Sequence, residues 1–433
     1  MTPAELRVRV DGETAATLER GTDGLSLSYD ADYLAWPDAV PLSLSLPLRA
    51  RPHVGPLVET WLDGLLPDRS VEREEWRRRV GAVSASPFGL LSTPIGSECA
   101  GAVQFEGTTA GARRQLGEQP SRRSALEPIS ETDLAAVLAE MSEGALLGGW
   151  RDDPPASFSL AGTMPKLAVR HGRAPWCKAI GDEPTTHILK PSLPRYPGQA
   201  VGEHLALSTA RRLGIEAVRT HVALIGGIET LVVERFDRSL RSPGGDNARI
   251  HQEDLCQALG LPLGERFERD GGPGPGDVAR LLAMHSSDCS ADLRSWFRRL
   301  VYCWLIVAND AHAKNHALLH LPGAVCRLAP MYGTESWLPY TGVAASEIDL
   351  AMSLGDGYQA GDGARIDDWQ QLAREFGMDP QWAAAEVLRI AQHTPAHLEA
   401  AIDALGAAAR SSDMPTRLLD AVVLRSESVL ADA

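Results

Sequence analysis

Apolar and polar residues alternate near the start of the chain, with the two-residue period of strands that bury one face. The alternating apolar positions are Leu6, Val8 and Val10, then Leu25, Leu27 and Tyr29. A helical period replaces the alternation over residues 56–66, where Trp61 lies on the apolar face. These patterns predict a small β-rich domain that is interrupted by a short helix.

The middle of the chain predicts further strands, separated by Gly and Pro, around one long helix. Ser130 followed by Asp133 is typical of a helix start, because both side chains accept hydrogen bonds from free amide groups. The predicted strands are residues 158–160, 167–170, 176–180, 187–190, 220–225 and 230–236. The long helix is predicted over residues 200–212. Together they indicate an α+β lobe.

After residue 254 the pattern changes, and helical periods dominate to the end of the chain. The predicted helices are residues 277–285, 291–308, 366–376, 380–392, 395–409 and 415–430. A β-rich lobe followed by an all-helical lobe predicts a bilobal α+β fold. Clefts between lobes are common ligand sites.

A stretch without hydrophobic period, rich in Gly, Ser, Pro, Gln and Arg, separates the first domain from the rest. We predict a β-rich subdomain over residues 1–110 and a linker over residues 111–130. The N-lobe is predicted over residues 131–240 and the helical C-lobe over residues 241–433.

Composition changes this picture mainly by exclusion. The 433-residue chain carries 57 acidic and 42 basic side chains, a formal net charge of −15, which argues against a protein that coats nucleic acid. Its longest apolar run, residues 300–308, is far shorter than the roughly 20 residues of a membrane span. No secretory signal is visible, and the six cysteines form no Cys-x-x-Cys pair. We expect a cytoplasmic protein with free thiols and no membrane association.

The segment most indicative of chemistry is NDAHAKN at residues 309–315, directly after the most apolar predicted helix. So many polar side chains beside a core helix are costly unless they are paired or bind something. Asp310 and Asn315 have the spacing of the protein-kinase catalytic loop, in which the Asp accepts the substrate's proton and the Asn binds magnesium. The alternative is a helix end finished by polar capping residues.

Kinase chemistry also requires a lysine that holds phosphates and a carboxylate that orients it. Lys190 ends a predicted strand and Glu203 lies on the helix that follows. The next strand ends in VERFDR at residues 233–238, the position of a kinase hinge, where Glu234 and Phe236 would flank the adenine. For the charged residues of this segment, a structural ion-pair cluster is an equally good interpretation.

With these residues in view, the chain resembles the HipA-type toxin kinases of bacterial toxin–antitoxin systems. The matching motifs are SLAGTMPK at residues 159–166, HILK at 187–190, VERFDR at 233–238, HQEDLCQ at 251–257, NDAHAKN at 309–315 and LAMSL at 350–354. They follow the family's order and cover residues 1 to about 400. The resemblance implies a bilobal protein-kinase-like fold that uses ATP and Mg²⁺.

The resemblance also assigns roles to individual residues. Asp310 would be the catalytic base, Asn315 a magnesium ligand and Lys190 the phosphate-binding lysine, while His312 and Lys314 would support the loop. The phosphate-binding loop would contain Ser159, Ala161 and Gly162, and Ser159 would be the site of an autophosphorylation that switches the kinase off. An ordinary strand-end hydroxyl is the alternative for Ser159.

For partners, the resemblance implies a helix-turn-helix antitoxin of the HipB type, with DNA bound only through that antitoxin. In characterised members the phosphorylated protein is an aminoacyl-tRNA synthetase, whose modification arrests translation.

One departure from the family pattern concerns the metal. The family places a second metal-binding Asp in a Pro-x-Tyr-Asp segment after the catalytic loop, but here Gly333 follows Tyr332. We therefore expect impaired phosphoryl transfer, unless Glu335 serves instead. Two residues along an extended segment is a displacement of about 6–7 Å, so Glu335 is the less favoured explanation.

Two other classes of function remain open at this point. One is a catalytically dead kinase fold that acts as a co-repressor with its antitoxin. The other is a small-molecule kinase, because bilobal kinase folds also phosphorylate lipids and antibiotics.

Overall fold

The structure is a computed structural model. It describes residues 5–22, 24–107, 125–144, 164–171, 176–239, 248–340, 347–355, 357–360, 364–406, 409 and 412–431. Among these residues, no helix combines the length and the hydropathy that crossing a membrane requires.

The described helices include most of the predicted ones. In chain order they are α1 Ala31–Ala35, α2 Pro56–Gly64, α3 Ser70–Val80, α4 Pro87–Leu91, α5 Glu131–Ser142, α6 Gln199–Arg212, α7 Leu255–Leu259, α8 Pro275–His285, α9 Cys289–Leu305, α10 Ile366–Glu375, α11 Pro380–Asp403 and α12 Met414–Ala431. Four of these helices were not predicted from the sequence: α1, α3, α4 and α7.

The described strands are mostly short. They are β1 Glu5–Val10, β2 Glu13–Gly21, β3 Gly24–Tyr29, β4 His53–Val54, β5 Val103–Gly107, β6 Ala125–Pro128, β7 Leu167–Val169, β8 Cys177–Ile180, β9 His187–Pro191, β10 Thr220–Ile225, β11 Ile228–Glu234, β12 Arg238–Ser239, β13 Ala248–Arg249, β14 His251–Asp254, β15 Ala317–Leu321, β16 Val325–Leu328, β17 Asp349–Leu354 and β18 Gly357–Gln359. Strand β6 lies inside residues 111–130, which the sequence assigned to a linker.

The chain divides into two compact units, each made of separate segments. Unit 1 contains Met1–Lys190, Arg235–Leu263 and Leu318–Cys326, and unit 2 contains Pro191–Glu234, Gly264–Ala317 and Arg327–Ala433.

Unit 1 is built on a five-stranded sheet in the order β4-β3-β2-β1-β5. Strand β1 pairs antiparallel with β2 and β5, and alternate residues of β1 and β3 are buried, as the period-two pattern predicts. Helix α2 packs on β3 and buries Val58, Trp61 and Leu62, so the predicted amphipathic helix is confirmed. The resulting apolar core gives unit 1 its main stabilisation.

A buried polar network joins the three chain segments of unit 1. One Glu253 carboxylate oxygen accepts a 2.5 Å hydrogen bond from Ser43, and the other lies 2.7 Å from a ring nitrogen of His320. Ser43 belongs to the first segment of unit 1, Glu253 to the second and His320 to the third. Unit 1 therefore depends on side chains that are distant in sequence.

A second buried polar group, the Glu98 cluster, consists of Glu98, Arg235, Asp237, Arg238 and Arg249 of unit 1. Glu98 accepts hydrogen bonds from Arg238 at 2.8 Å, Arg249 at 2.6 Å and Arg235 at 3.2 Å. Burial raises the pKa of the Glu98 carboxyl, but the three guanidinium groups outweigh burial and hold that pKa well below its ordinary value. The ion-pair interpretation of residues 235–238 is thus confirmed.

Unit 2 contains the long helices and two hairpins, β10 with β11 and β17 with β18. Helix α9 buries most of its residues, among them Trp296, Phe297, Val301 and Tyr302. Helix α11 packs against α6, α10 and α12, which makes this helix the centre of the helical part.

Two predictions about the C-terminal half need correction. Residues 241–433 are not all helical, because strands β13 to β18 lie among the helices. These strands have two to six residues each, too few to show a clear two-residue period, and HQED at residues 251–254 is polar throughout. The two helices predicted on either side of residue 393 are a single helix that continues through Pro395. The Thr394 hydroxyl bonds the Ile390 carbonyl at 2.6 Å within this turn.

Candidate active site

The loop predicted to carry chemistry begins where helix α9 ends. Val307, just before the loop, is fully buried and has a φ of +52°. A β-branched residue is strained in this left-handed region, and such strain persists only when the surrounding structure imposes it. Here the Val307 carbonyl accepts hydrogen bonds from the amides of Asn309 and Trp337. The backbone therefore turns sharply, and the polar loop leaves the core helix at a fixed angle.

Within this loop the structure brings Asp310, His312 and Asn315 together. The Asn315 side-chain amide donates to the Asp310 carbonyl at 2.6 Å, and His312 Nε2 lies 3.6 Å from an Asp310 carboxylate oxygen. The Asp310 side chain is 67% exposed, whereas that of His312 is buried against the Phe267 ring. The Asp310 carboxylate is thus exposed to solvent, while Asn315 holds the Asp310 backbone and His312 lies beside the carboxylate.

The residues behind the loop are buried and fix its far end. The Lys314 side chain is buried, and the Lys314 carbonyl accepts a 2.9 Å hydrogen bond from the Tyr332 hydroxyl. Burial and the Arg299 guanidinium lower the pKa of His316 to about 3, so this imidazole is neutral. Its Nε2 lies 3.3 Å from the Ala311 carbonyl. Lys314, which was predicted to support the loop, is thus held in part through its backbone carbonyl.

Gly333 faces the amide side chain of the loop. A Cβ added to Gly333 would lie 3.4 Å from Asn315 Oδ1, an ordinary van der Waals contact. Gly333 has a φ of +58°, a conformation that Asp and Asn tolerate better than most other residues. Position 333 therefore has room for the Cβ of an aspartate beside Asn315, although the left-handed backbone would be strained by any side chain.

Glu335, the alternative carboxylate, is engaged elsewhere. One of its oxygens accepts a hydrogen bond from the Tyr340 hydroxyl at 2.5 Å, and the other accepts from the Gln199 side chain at 3.3 Å. Burial and the Glu335 carboxylate both raise the pKa of Tyr340, which keeps its hydroxyl a donor. Glu335 would have to leave both partners to serve a metal.

The residues near the loop meet only part of what a magnesium ion prefers. Asn315 offers a neutral amide oxygen and Asp310 a carboxylate, but Gly333 adds no side-chain oxygen. In the part of the chain that the structure describes, no group of three or more His, Cys, Asp or Glu side chains could hold a metal ion. The donor set is therefore one carboxylate short of the kinase pattern.

Of the other predicted site residues, three lie on the elements expected of them, and Phe236 lies just beyond the strand to which it was assigned. Lys190 is half-buried on β9, and Glu203 is buried on α6. Glu234 ends β11 and Phe236 follows it, both half-buried. Their assignment to a nucleotide site stays a prediction. The predicted phosphate-binding residues lie outside the described residues; they are Ser159, Ala161 and Gly162.

Comparison with known families shows which family the chain belongs to. A family model described as the HipA-like C-terminal domain matches residues 158–398, more than half of the chain, and a model of the HipA N-terminal domain matches residues 6–106. This chain belongs to the HipA family.

Individual relatives agree with the family assignment. The chain is 29% identical over 384 residues to a putative kinase, Y4mE, of Sinorhizobium fredii, covering 87% of each protein. It is 26% identical over 346 residues to the serine/threonine-protein kinase toxin HipA of Shewanella oneidensis, covering 77% of this chain and 74% of the toxin.

A solved structure shows that the fold is shared as well. The chain matches HipA in a complex of Shewanella oneidensis HipA, HipB and operator DNA, with a TM-score of 0.82 and 21% sequence identity, over 98% of this chain and 97% of the other. The predicted α+β fold of the HipA type is therefore confirmed.

Sequence reasoning missed three residues that shape this site. The Phe267 ring packs on His312, and the Tyr332 hydroxyl donates a hydrogen bond to the loop. The Arg266 carbonyl accepts a hydrogen bond from the Ala313 amide at 3.1 Å. For Phe267 and Arg266 no sequence signal exists, because both contacts join segments far apart in the chain. Tyr332 is the exception, because it precedes Gly333 in the segment where the family pattern places the metal-binding Asp.

Proposed function

We propose that this HipA-family chain is a serine/threonine protein kinase toxin whose phosphoryl transfer is weakened by Gly333. The observation that carries the proposal is the arrangement of Asp310, Asn315 and Gly333. The loop holds an exposed carboxylate and an amide in the kinase spacing, and position 333 has room for the aspartate that the family pattern requires.

Asp310 has the role of general base in this mechanism. Its carboxylate accepts the proton of a substrate serine or threonine hydroxyl, whose oxygen attacks the γ-phosphorus of ATP, and the bond to the β-phosphate oxygen breaks. His312, held against Phe267, keeps the carboxylate oriented, and the Asn315 amide fixes the loop backbone. Lys190 would hold the phosphates as a point charge.

Asn315 Oδ1 would hold Mg²⁺, which when bound neutralises charge on the phosphates. A carboxylate at position 333 would share that cation. Without it the transition state loses several kcal/mol, on the order of 10²–10³-fold in rate. The engagement of Glu335 with Tyr340 and Gln199 supports Gly333 as an impairing residue over a replacement by Glu335.

For partners, we propose a helix-turn-helix antitoxin of the HipB type, and operator DNA bound only through it. The solved HipA of the similar fold is in a complex with HipB and operator DNA, and the net charge of −15 disfavours DNA binding by this chain alone. The substrate we propose is a protein of the translation machinery, such as an aminoacyl-tRNA synthetase.

A second candidate function follows from the same glycine. A chain that folds but transfers phosphate poorly would still serve as a co-repressor bound to its antitoxin. Gly333 is the observation that favours this candidate.

Incubation with labelled ATP and a bacterial extract separates these functions. We expect weak labelling of a protein by the native chain, strong labelling by Gly333→Asp, and none by the double variant Gly333→Asp/Asp310→Asn. A labelled small molecule would instead indicate a small-molecule kinase. No labelling by Gly333→Asp, with a stable antitoxin complex on operator DNA, would leave the co-repressor.

A further inference from the structure

Unit 1 contains an open cavity of about 560 Å³, and none of the candidate active-site residues lines it. The lining comes from the adjoining ends of strands β2 and β3, from helix α2, from the start of helix α4 and from Pro262. All these segments belong to unit 1, so the cavity is complete within that unit. Its volume is in the range of pockets that take small organic ligands.

Arg20 brings a positive charge to this cavity. Its guanidinium carbon lies 4.2 Å from the centroid of the Phe88 ring, and both residues belong to the lining. Such a contact holds the cation in place while its N–H groups can still donate to an anion. Arg20 forms no ion pair with any residue in the described part of unit 1.

Glu59 brings a negative charge to the same cavity. Its Oε1 would lie 3.9 Å from a Cβ added to Gly24, another lining residue, so the carboxylate is placed at the cavity wall. Among the described residues Glu59 has no ion-pair partner, and it does not pair with Arg20. Asp63, the third charged lining residue, is paired with Arg73. The cavity therefore presents one cation and one anion that the described neighbours leave uncompensated.

Much of the remaining lining is apolar. Pro56, Pro87 and Pro262 contribute three proline rings, and Leu25 contributes an aliphatic side chain. Proline rings are already fixed in the free protein, so a ligand that packs on them orders little that was mobile before. The cavity suits a ligand that carries two opposite charges and apolar groups.

We propose that this cavity binds a short zwitterionic peptide of two or three residues. The α-ammonium group of the peptide pairs with Glu59, its carboxylate pairs with Arg20, and its side chains pack on the proline rings. A ligand with a single charge would satisfy only one of the two charged residues. A free amino acid carries both charges but covers less apolar surface, so we expect it to bind more weakly. The site does not depend on the proposed kinase activity.

Titration calorimetry of the full chain with leucyl-leucine tests the site. N-acetyl-leucyl-leucine lacks the ammonium group, and leucyl-leucinamide lacks the carboxylate. We expect each of these two analogues to bind the native chain about two- to fivefold more weakly than leucyl-leucine, the effect of one exposed ion pair. Equal affinities for all three compounds would overturn the proposal, and free leucine that binds as tightly as leucyl-leucine would overturn a peptide as the ligand.

Variants assign each charge of the peptide to its residue. Glu59→Gln should weaken leucyl-leucine binding about two- to fivefold and leave N-acetyl-leucyl-leucine unaffected. Arg20→Met should weaken leucyl-leucine to a similar extent and leave leucyl-leucinamide unaffected. Glu19→Gln is the matched control, because Glu19 is exposed on strand β2 but does not line the cavity, and it should keep all the native affinities.

The Glu59 comparison stands even where Arg20→Met does not fold, because it uses one variant and two peptides. Native binding of leucyl-leucine that Glu59→Gln leaves unchanged would place the peptide elsewhere and overturn the proposal. Absence of binding to the native chain at millimolar leucyl-leucine would overturn it as well.

Discussion

The Glu98 cluster and the loop of residues 309–315 both concentrate charged and amide side chains, but they treat charge in opposite ways. In the cluster the Glu98 side chain is 4% exposed, and both carboxylate oxygens are bonded to arginines. In the loop the Asp310 side chain is 67% exposed, and the hydrogen bonds of Asn315 hold backbone rather than the carboxylate. Enclosed charges of this kind cannot lose one partner without a large cost to the fold, whereas a carboxylate open to solvent can react.

The largest effect should follow from removing the negative charge at the centre of the Glu98 cluster. Glu98→Gln removes the negative charge shared by three buried guanidinium groups and leaves them only partly compensated. We expect the free energy of unfolding to fall by about 3–5 kcal/mol, as measured by urea denaturation. The matched control is Glu106→Gln on strand β5, where the ion pair to Arg7 is about half exposed and should contribute under about 1 kcal/mol.

The pH dependence of this difference has a definite sign. Because the folded pKa of Glu98 lies below the ordinary value of 4.5, its contribution is complete above that pH and declines as the pH falls toward the folded pKa. The native chain and Glu98→Gln should therefore converge in stability on acidification. A gap that widens below pH 4.5 would contradict the cluster as the source.

The next largest effect concerns the loop of residues 309–315. Gly333→Asp adds the carboxylate that the loop lacks, and we expect phosphorylation to rise about 10²–10³-fold, since the charge on the metal is then better held. Initial rates with labelled ATP measure the change. Robust activity of the native chain that Glu335→Ala abolishes would show instead that Glu335 already supplies the carboxylate.

A smaller effect is expected for nucleotide affinity. Lys190→Ala should weaken ATP binding by about 1.5–3 kcal/mol through loss of a charge-assisted contact, as measured by titration calorimetry. Lys178→Ala on strand β8 is the control, because that lysine is also half-buried on a strand of unit 1. Equal affinities in the two variants would remove Lys190 from the site.

The smallest effect tests how the loop is held. Tyr332→Phe deletes the hydrogen bond to the Lys314 carbonyl, worth about 0.5–1.5 kcal/mol. In the Gly333→Asp background we expect kcat to fall severalfold with KM nearly unchanged, because Tyr332 positions the loop and is not expected to contact substrate. Tyr358→Phe on strand β18 should leave both constants alone. A change in KM with constant kcat would argue against a positioning role.

The sequence predicted what depends on local pattern. Strand β1 followed from its alternation, helix α2 from its apolar face around Trp61, and the Asp310–Asn315 pair from its spacing. These features need only neighbouring residues, so periodicity and motif reveal them. The α+β fold was predictable to the same extent, because most long elements carry a clear period.

The remaining features depend on contacts between distant segments. Glu98 gave no signal that it would meet Arg238 and Arg249, and Phe267 gave none that it would pack on His312. Strand β14 escaped prediction because its polar residues are buried by partners such as Ser43 and His320, not by an apolar face. Such pairings become visible only once the chain is folded.

The segmented construction of unit 1 has a consequence for how the protein is made. Unit 1 requires Leu318–Cys326, whose His320 contacts Glu253, so about three quarters of the chain must be synthesised before this unit has all its parts. Domains usually fold as units during translation, N-terminal first. Here unit 1 cannot be completed until residue 326 has been synthesised, and a ribosome that stops before residue 318 releases a fragment that lacks the last segment of unit 1.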